Sequence, residues 1–119
     1  MKILIVDDSK AMRLIVKRTL RQADIGDHET MEVGDGSEAL PVVESWCPDL
    51  VLSDWNMPQM NGIDLLRNLR SAGNSVRFGF VTSESTETMR NLAADEGADF
   101  LIAKPFDGDT FSQAIGGAA

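Results

Sequence analysis

The chain has few of the residues that usually signal disulfide, redox or transition-metal chemistry. Cys47 is the only cysteine and His28 the only histidine. A lone thiol cannot close an internal disulfide, which suits a reducing compartment. One histidine without a thiolate cluster argues against zinc. Cys47 lies between Trp46 and Pro48 with no base in view, and it reads as a small packing residue rather than a reactive thiol. His28 reads as a surface or strand-edge residue. Long apolar runs are missing too. None approaches the roughly 20 residues that a bilayer-spanning helix needs, so no membrane association is expected. The opening "MKILIVDDSK" does not suit a secretion signal, because its apolar stretch is only Ile3 to Val6 and two aspartates follow. A cytoplasmic location is expected.

Basic charge is also scarce. Eleven Lys and Arg against 19 acidic residues leave a net charge of −8, which disfavours nucleic acid as a partner, because a phosphate backbone needs a basic face. Internal repeats, low-complexity tracts and linkers are lacking. The 119 residues suit one domain with no separate output domain, and a 43% apolar fraction is enough for a core. Residues 116–119, "GGAA", are expected to fray. The basic residues that exist are clustered: Lys10, Arg13, Lys17, Arg18 and Arg21 share one short segment.

Apolar runs of strand length alternate with helical patterns. Strands are expected at residues 2–6, 28–33, 50–53, 77–82 and 100–103. After the first strand, Met12, Ile15, Val16, Thr19 and Leu20 recur at helical spacing behind Ser9, an N-cap candidate. These cannot all face inward, so some apolar surface is expected on that helix. A second helix starts at Ser37, where Pro41 should bend or shorten it. A third closes at Gly73, a fourth covers "STETMRNLAADEG", and a brief last helix runs from about Asp107 to Ile115. Strands in sequence order with helices between them imply an α/β fold, a parallel sheet covered on both faces.

In such a sheet, functional groups gather beyond the carboxyl ends of the strands. Strand one ends in Asp7 and Asp8, strand three in Asp54, strand four in Thr82 and Ser83, and strand five in Lys104-Pro105. Three carboxylates at one edge repel each other and call for a counter-charge. Hard oxygen ligands point to Mg²⁺, with Mn²⁺ as a substitute. A carboxylate-held metal suits phosphate chemistry, with Asp54 as an oxygen nucleophile and Lys104 and Thr82 contacting phosphoryl oxygens. The plainer alternative is that Lys104 only pairs with an acid and Thr82 only caps the next helix.

Four segments carry a resemblance: "VDDS" (6–9), "SDWNMPQMNG" (53–62), "VTSE" (81–84) and "AKPF" (103–106). Together, in this order and at these strand ends, they resemble the response-regulator receiver domains, and in flavour the single-domain chemotaxis regulators. The resemblance implies a flavodoxin-like (βα)5 fold with strand order 2-1-3-4-5, which spacing alone does not choose. It implies Asp54 as phosphoacceptor, Asp7 and Asp8 as the acid pair for Mg²⁺, and a metal contact from the Asn56 backbone carbonyl. Thr82 takes the place of the switch hydroxyl and Lys104 that of the phosphate-sensing lysine, with Lys104–Pro105 a candidate cis peptide. Asn56 and Glu84 flank the route of water to the phosphate and go with a short-lived phosphoryl group. The implied donor is a phosphohistidine on a sensor histidine kinase or a phosphotransfer domain, docking at the basic helix through Arg13, Lys17 and Arg21.

The chain departs from the family pattern in one respect that bears on switching. An aromatic residue usually stands three places before the lysine; here Leu101 does, and Phe100 sits one place earlier. Neighbouring strand residues face opposite sides, so Phe100 does not substitute. The implied output face, residues 84–115, carries Glu87, Asp95, Glu96, Asp99, Asp107 and Asp109. The expectation is a monomeric, non-enzymatic phosphorylation switch acting on a protein target of unknown identity, in chemotaxis or motility among other pathways, with a phosphate sink or scaffold as the alternative. A small Mg²⁺-dependent phosphatase is disfavoured, because Asn56 stands where its general acid would be. A flavodoxin-like cofactor binder is disfavoured by the acids of "DDSKA", where a phosphate cradle would want glycines.

Overall fold

The computed structural model describes residues 1–83 and 85–116. Five parallel strands lie in the order β2-β1-β3-β4-β5. They are β1 (Lys2–Val6), β2 (Glu29–Val33), β3 (Leu50–Ser53), β4 (Arg77–Thr82) and β5 (Phe100–Ala103). Helices α1 (Lys10–Gln22), α2 (Gly36–Trp46), α3 (Gly62–Ser71), α4 (Glu87–Asp95) and α5 (Gly108–Phe111) alternate with them, and α5 continues as a π-helical turn over Ser112–Gly116. Gly116, expected to fray, belongs to that turn. The other residues expected to fray, 117–119, lie outside the described residues, as does Glu84.

Side-chain alternation along each strand divides the core in two. Leu4, Val6, Val51, Phe78 and Phe80 point to the side of α2, α3 and α4, where Ala39, Val43, Leu65, Leu66 and Ala93 meet them. Ile3, Ile5, Leu50, Leu52, Val81 and Ile102 point to the opposite side, toward Val16 and Leu20 of α1 and Phe111 of α5. The sheet is thus buried on both faces, which is why β1 and β3 read as continuous apolar runs.

The helix starts follow their side-chain caps. Ser9 accepts the Met12 amide, Asp35 that of Glu38, Asn61 that of Asp64, and Thr86 that of Met89. Thr86 therefore does the capping that was one plain reading of Thr82. The second helix begins at Gly36 behind Asp35, not at Ser37.

Two expectations are corrected. Pro41 does not shorten α2, which runs through it to Trp46. Pro41 and Ser37, whose carbonyl loses its i+4 donor, both lie on the exposed side of α2. Cys47 is not a packing residue. It is exposed and caps α2 in the left-handed region at φ 51°, its amide bonded to the Val43 carbonyl. His28 is half-buried just ahead of the outer strand β2, as expected. No helix among the described residues is long and apolar enough to cross a membrane.

Candidate functional site

The carboxyl ends of β1, β3, β4 and β5 meet at one edge, and the side chains singled out in the sequence are carried there. β1 and β3 are paired with Val6 opposite Ser53, so the next residues, Asp7 and Asp54, emerge side by side. The backbone fixes both. The Asp54 amide donates to the Val6 carbonyl at 2.9 Å and the Asp7 amide to the Val33 carbonyl at 3.2 Å. Each carboxylate is then aimed by a main-chain donor. The Ser9 amide bonds Asp7 Oδ1 at 2.9 Å, and the Trp55 amide bonds Asp54 Oδ1 at 2.7 Å.

The loop after β3 is held equally firmly. The Gly62 amide donates to the Trp55 carbonyl at 2.8 Å, and the Gly36 amide to the Met60 carbonyl at 3.1 Å. Gly62 packs so closely that a Cβ there would run into the Asp54 carbonyl oxygen. This glycine is required by the close approach of α3 to the site. Trp55 is buried, its ring 4.7 Å from that of Phe80.

Asp7, Asp8 and Asp54 each offer a carboxylate oxygen within 4.8 Å of the others. Asp7 is buried, Asp54 half-buried and Asp8 exposed, so the group opens to solvent on the Asp8 side. Lys104 closes the other side, its Nζ 3.6 Å from Asp7 Oδ2 and 3.5 Å from Asp54 Oδ2. Three carboxylates against one ammonium leave a formal charge of −2 in a small space. Burial pushes the Asp7 carboxyl above its ordinary range. The charges of Asp54 and Asp8 push the same way, against the Ser9 amide and Lys104. The acid group therefore fits a hard divalent cation with open coordination positions, and it could hold one.

Thr82 is fully buried at the end of β4, opposite Ala103, and its carbonyl accepts the Lys104 amide at 2.9 Å. Asn56 is exposed, two residues past Asp54. The Lys104–Pro105 peptide is cis. Leu101 lies on the α4 side with Met89 and Leu92, whereas Phe100 lies on the α1 and α5 side. The two thus point to opposite faces, as strand alternation requires.

The basic segment of α1 is divided. Arg13 and Lys17 are half-buried and share Glu32 of β2, at 3.0 Å and 3.1 Å. Lys10, Arg18 and Arg21 are exposed, along with the apolar Leu14 and Ile15. Glu32 had no signature in the sequence, because its importance arises only when β2 lies beside α1. In the segment expected to form the output face, Glu96 and Asp99 are paired with Arg67 and Arg70, while Glu87, Asp95, Asp107 and Asp109 are exposed.

Known proteins share the fold. The response regulator receiver domain family matches residues 3–116. Chemotaxis protein CheY-3 of Vibrio cholerae is 42% identical over 97% of this chain and 88% of its own length. Chemotaxis protein CheY of Pseudomonas aeruginosa is 41% identical over 97% and 93%. Among solved structures, V. cholerae CheY4 superposes with a TM-score of 0.87 at 28% identity, covering 99% of this chain and 98% of that one. A Francisella response regulator receiver domain gives 0.87 at 25% identity, over 98% and 94%. The chain belongs to the response regulator receiver domain family, whose members serve in two-component signalling.

Proposed function

We propose that this chain is a CheY-like phosphorylation switch that accepts a phosphoryl group on Asp54 and regulates a partner by binding it. The observation that carries this reading is the Asp7, Asp8 and Asp54 group with Lys104 across it, 3.5 Å from Asp54 and 3.6 Å from Asp7. An Asp54 carboxylate oxygen attacks the phosphorus of a phosphohistidine in line. The P–N bond breaks as the new P–O bond forms, and the product is an aspartyl phosphate. The Trp55 amide holds Oδ1 and so sets the orientation of the carboxylate. Lys104, shared between two carboxylates before transfer, moves its charge to the phosphoryl oxygens afterwards. Thr82 supplies a hydroxyl to the same oxygens.

Asp7, Asp8, Asp54 and the Asn56 backbone carbonyl would hold Mg²⁺, or Mn²⁺ in its place. Bound there, the cation offsets carboxylate repulsion and stabilises charge on the transferring group. Asn56, with Glu84, limits the lifetime of the phosphoryl group to well below many hours. The chain turns over no external substrate, since Asn56 offers no general acid two residues after the nucleophile.

The donor is a sensor histidine kinase or phosphotransfer domain that docks on α1. Arg13 and Lys17 belong to that surface together with Arg21, and the exposed Lys10, Arg18, Leu14 and Ile15 extend it. The target binds residues 84–115, and the protein acts as a cytoplasmic monomer without nucleic acid or membrane. One observation favours a second reading, a phosphate sink. Leu101 replaces the aromatic residue that would follow Thr82, and Phe100 is committed to the other face.

Trp55 emission tests the central reading. Mg²⁺ should shift it in the parent protein, and acetyl phosphate should shift it again only when Mg²⁺ is present. An Asp54→Asn variant should lose the second response. A second response that survives in Asp54→Asn would contradict the assignment.

A further inference from the structure

We infer that Arg13, locked by Glu32 of the outer strand, is a positioning residue for the metal-binding acids. The inference rests on the reading of Asp7, Asp8 and Asp54 as a Mg²⁺ site. Arg13 lies in the first turn of α1, and its Nη1 donates to the Asp7 carbonyl oxygen at 2.6 Å. Its Nε donates to Glu32 Oε1 at 3.0 Å, while Lys17 grips the other oxygen of Glu32 at 3.1 Å. Glu32 lies opposite Ile5 of β1, two residues before Asp7.

Asp7 is consequently held at three points. Its amide donates to Val33 of β2 and its Oδ1 accepts from Ser9. Its carbonyl is fixed by Arg13. Oδ2 is thereby turned toward Lys104 and the site. The Asp7 carbonyl begins the peptide that leads to Asp8, so the Arg13 contact sets the turn that brings both acids to one point. A guanidinium suits this work because its planar fork serves two acceptors at once in a fixed geometry, which an ammonium cannot reproduce. Groups behind metal ligands commonly change metal affinity by 10–100-fold when removed.

The test is Mg²⁺ binding to the full chain, followed by Trp55 emission and independently by calorimetry, beside the thermal midpoint in EDTA. Arg13→Ala and Arg13→Lys should each raise the Mg²⁺ dissociation constant, by about tenfold for alanine. Glu32→Ala should act in the same direction, and the Arg13→Ala/Glu32→Ala pair should be no worse than Arg13→Ala alone, because both break one chain of contacts. Glu32→Gln should keep most of the affinity, since its amide oxygen still accepts from Nε. Arg77→Ala, which removes a guanidinium that bonds the Ala114 carbonyl and starts β4 at the end away from the acids, should alter the midpoint but leave Mg²⁺ binding unchanged. If Arg13→Ala does not fold, Arg13→Lys and Glu32→Ala carry the comparison. Folded Arg13 variants with unchanged Mg²⁺ affinity would overturn the inference while leaving the metal site standing. No Mg²⁺ response in the parent protein would overturn both.

Discussion

The ring of Phe100 lies directly over Gly79, its register partner on the neighbouring strand. A Cβ at Gly79 would overlap the ring, so the two positions are matched: the aromatic fits because the glycine is bare. The Arg77 guanidinium sits 5.7 Å from the same ring and also bonds the Ala114 carbonyl. The aromatic side chain of β5 is thus committed to the α1 and α5 face. Gly79→Ala should destabilise the fold by about 1–3 kcal/mol, the range for overpacking a filled core. Gly79→Ala combined with Phe100→Ala should recover part of that loss. Urea unfolding of the two variants and the parent measures both effects.

Leu101 is separated from this cluster by the sheet, so its role can be probed alone. Leu101→Ala should leave phosphoryl transfer to Asp54 unchanged, because Leu101 belongs to the apolar layer on the α4 side. Single-turnover phosphorylation of parent and variant would show this. A large drop in rate would mean that β5 couples to the site through Leu101 after all.

Asp7 makes the metal-free site sensitive to pH. Its folded-state pKa is raised, first by burial and then by Asp54 and Asp8. A raised carboxyl contributes stability at low pH, and that contribution is lost as pH rises through the folded value. Keeping Asp7 ionised without metal is therefore a cost to the fold. Asp7→Asn should raise the thermal midpoint in EDTA at pH 7, where about 4 °C corresponds to ~1 kcal/mol for a chain of this size. Mg²⁺ should stabilise the parent by mass action and the variant much less. Differential scanning calorimetry with and without Mg²⁺ tests the sign.

Glu32 has the opposite dependence. Burial alone would raise its carboxyl, but hydrogen bonds from Lys17 and Arg13 outweigh that and lower it below the ordinary value of 4.5. A lowered carboxyl contributes stability above its unfolded value, and loses it as pH falls through the folded one. Glu32→Gln should therefore be less stable than the parent at pH 7, and the difference should close as the pH drops below about 4. Paired thermal midpoints from pH 7 to pH 3 measure this.

Much of this was legible before any coordinates. The strands at 2–6, 50–53, 77–82 and 100–103 stand where their apolar runs stop and start, because a sheet buried on both faces leaves no other reading. Asp7, Asp8, Asp54, Thr82 and Lys104 were marked by standing at strand ends, and parallel strands bring those ends together. What was hidden depends on tertiary contacts. Strand order follows from family resemblance and not from spacing. The tolerance of Pro41 depends on which carbonyl loses its donor and whether it meets water. The exposure of Cys47 depends on a left-handed helix cap. The division of the basic helix depends on Glu32, three residues past the start of β2 and unremarkable there. The match of Phe100 to Gly79 exists only in the register of β4 against β5.

The most direct measurement is intact-mass spectrometry after incubation with acetyl phosphate, with and without Mg²⁺, on the parent and Asp54→Asn. The account predicts one added phosphoryl group in the parent with Mg²⁺, and none in EDTA or in Asp54→Asn. Failure of the parent to gain mass, with Mg²⁺ binding intact in Trp55 emission, would contradict Asp54 as the phosphoacceptor and leave the acid cluster as a metal site alone.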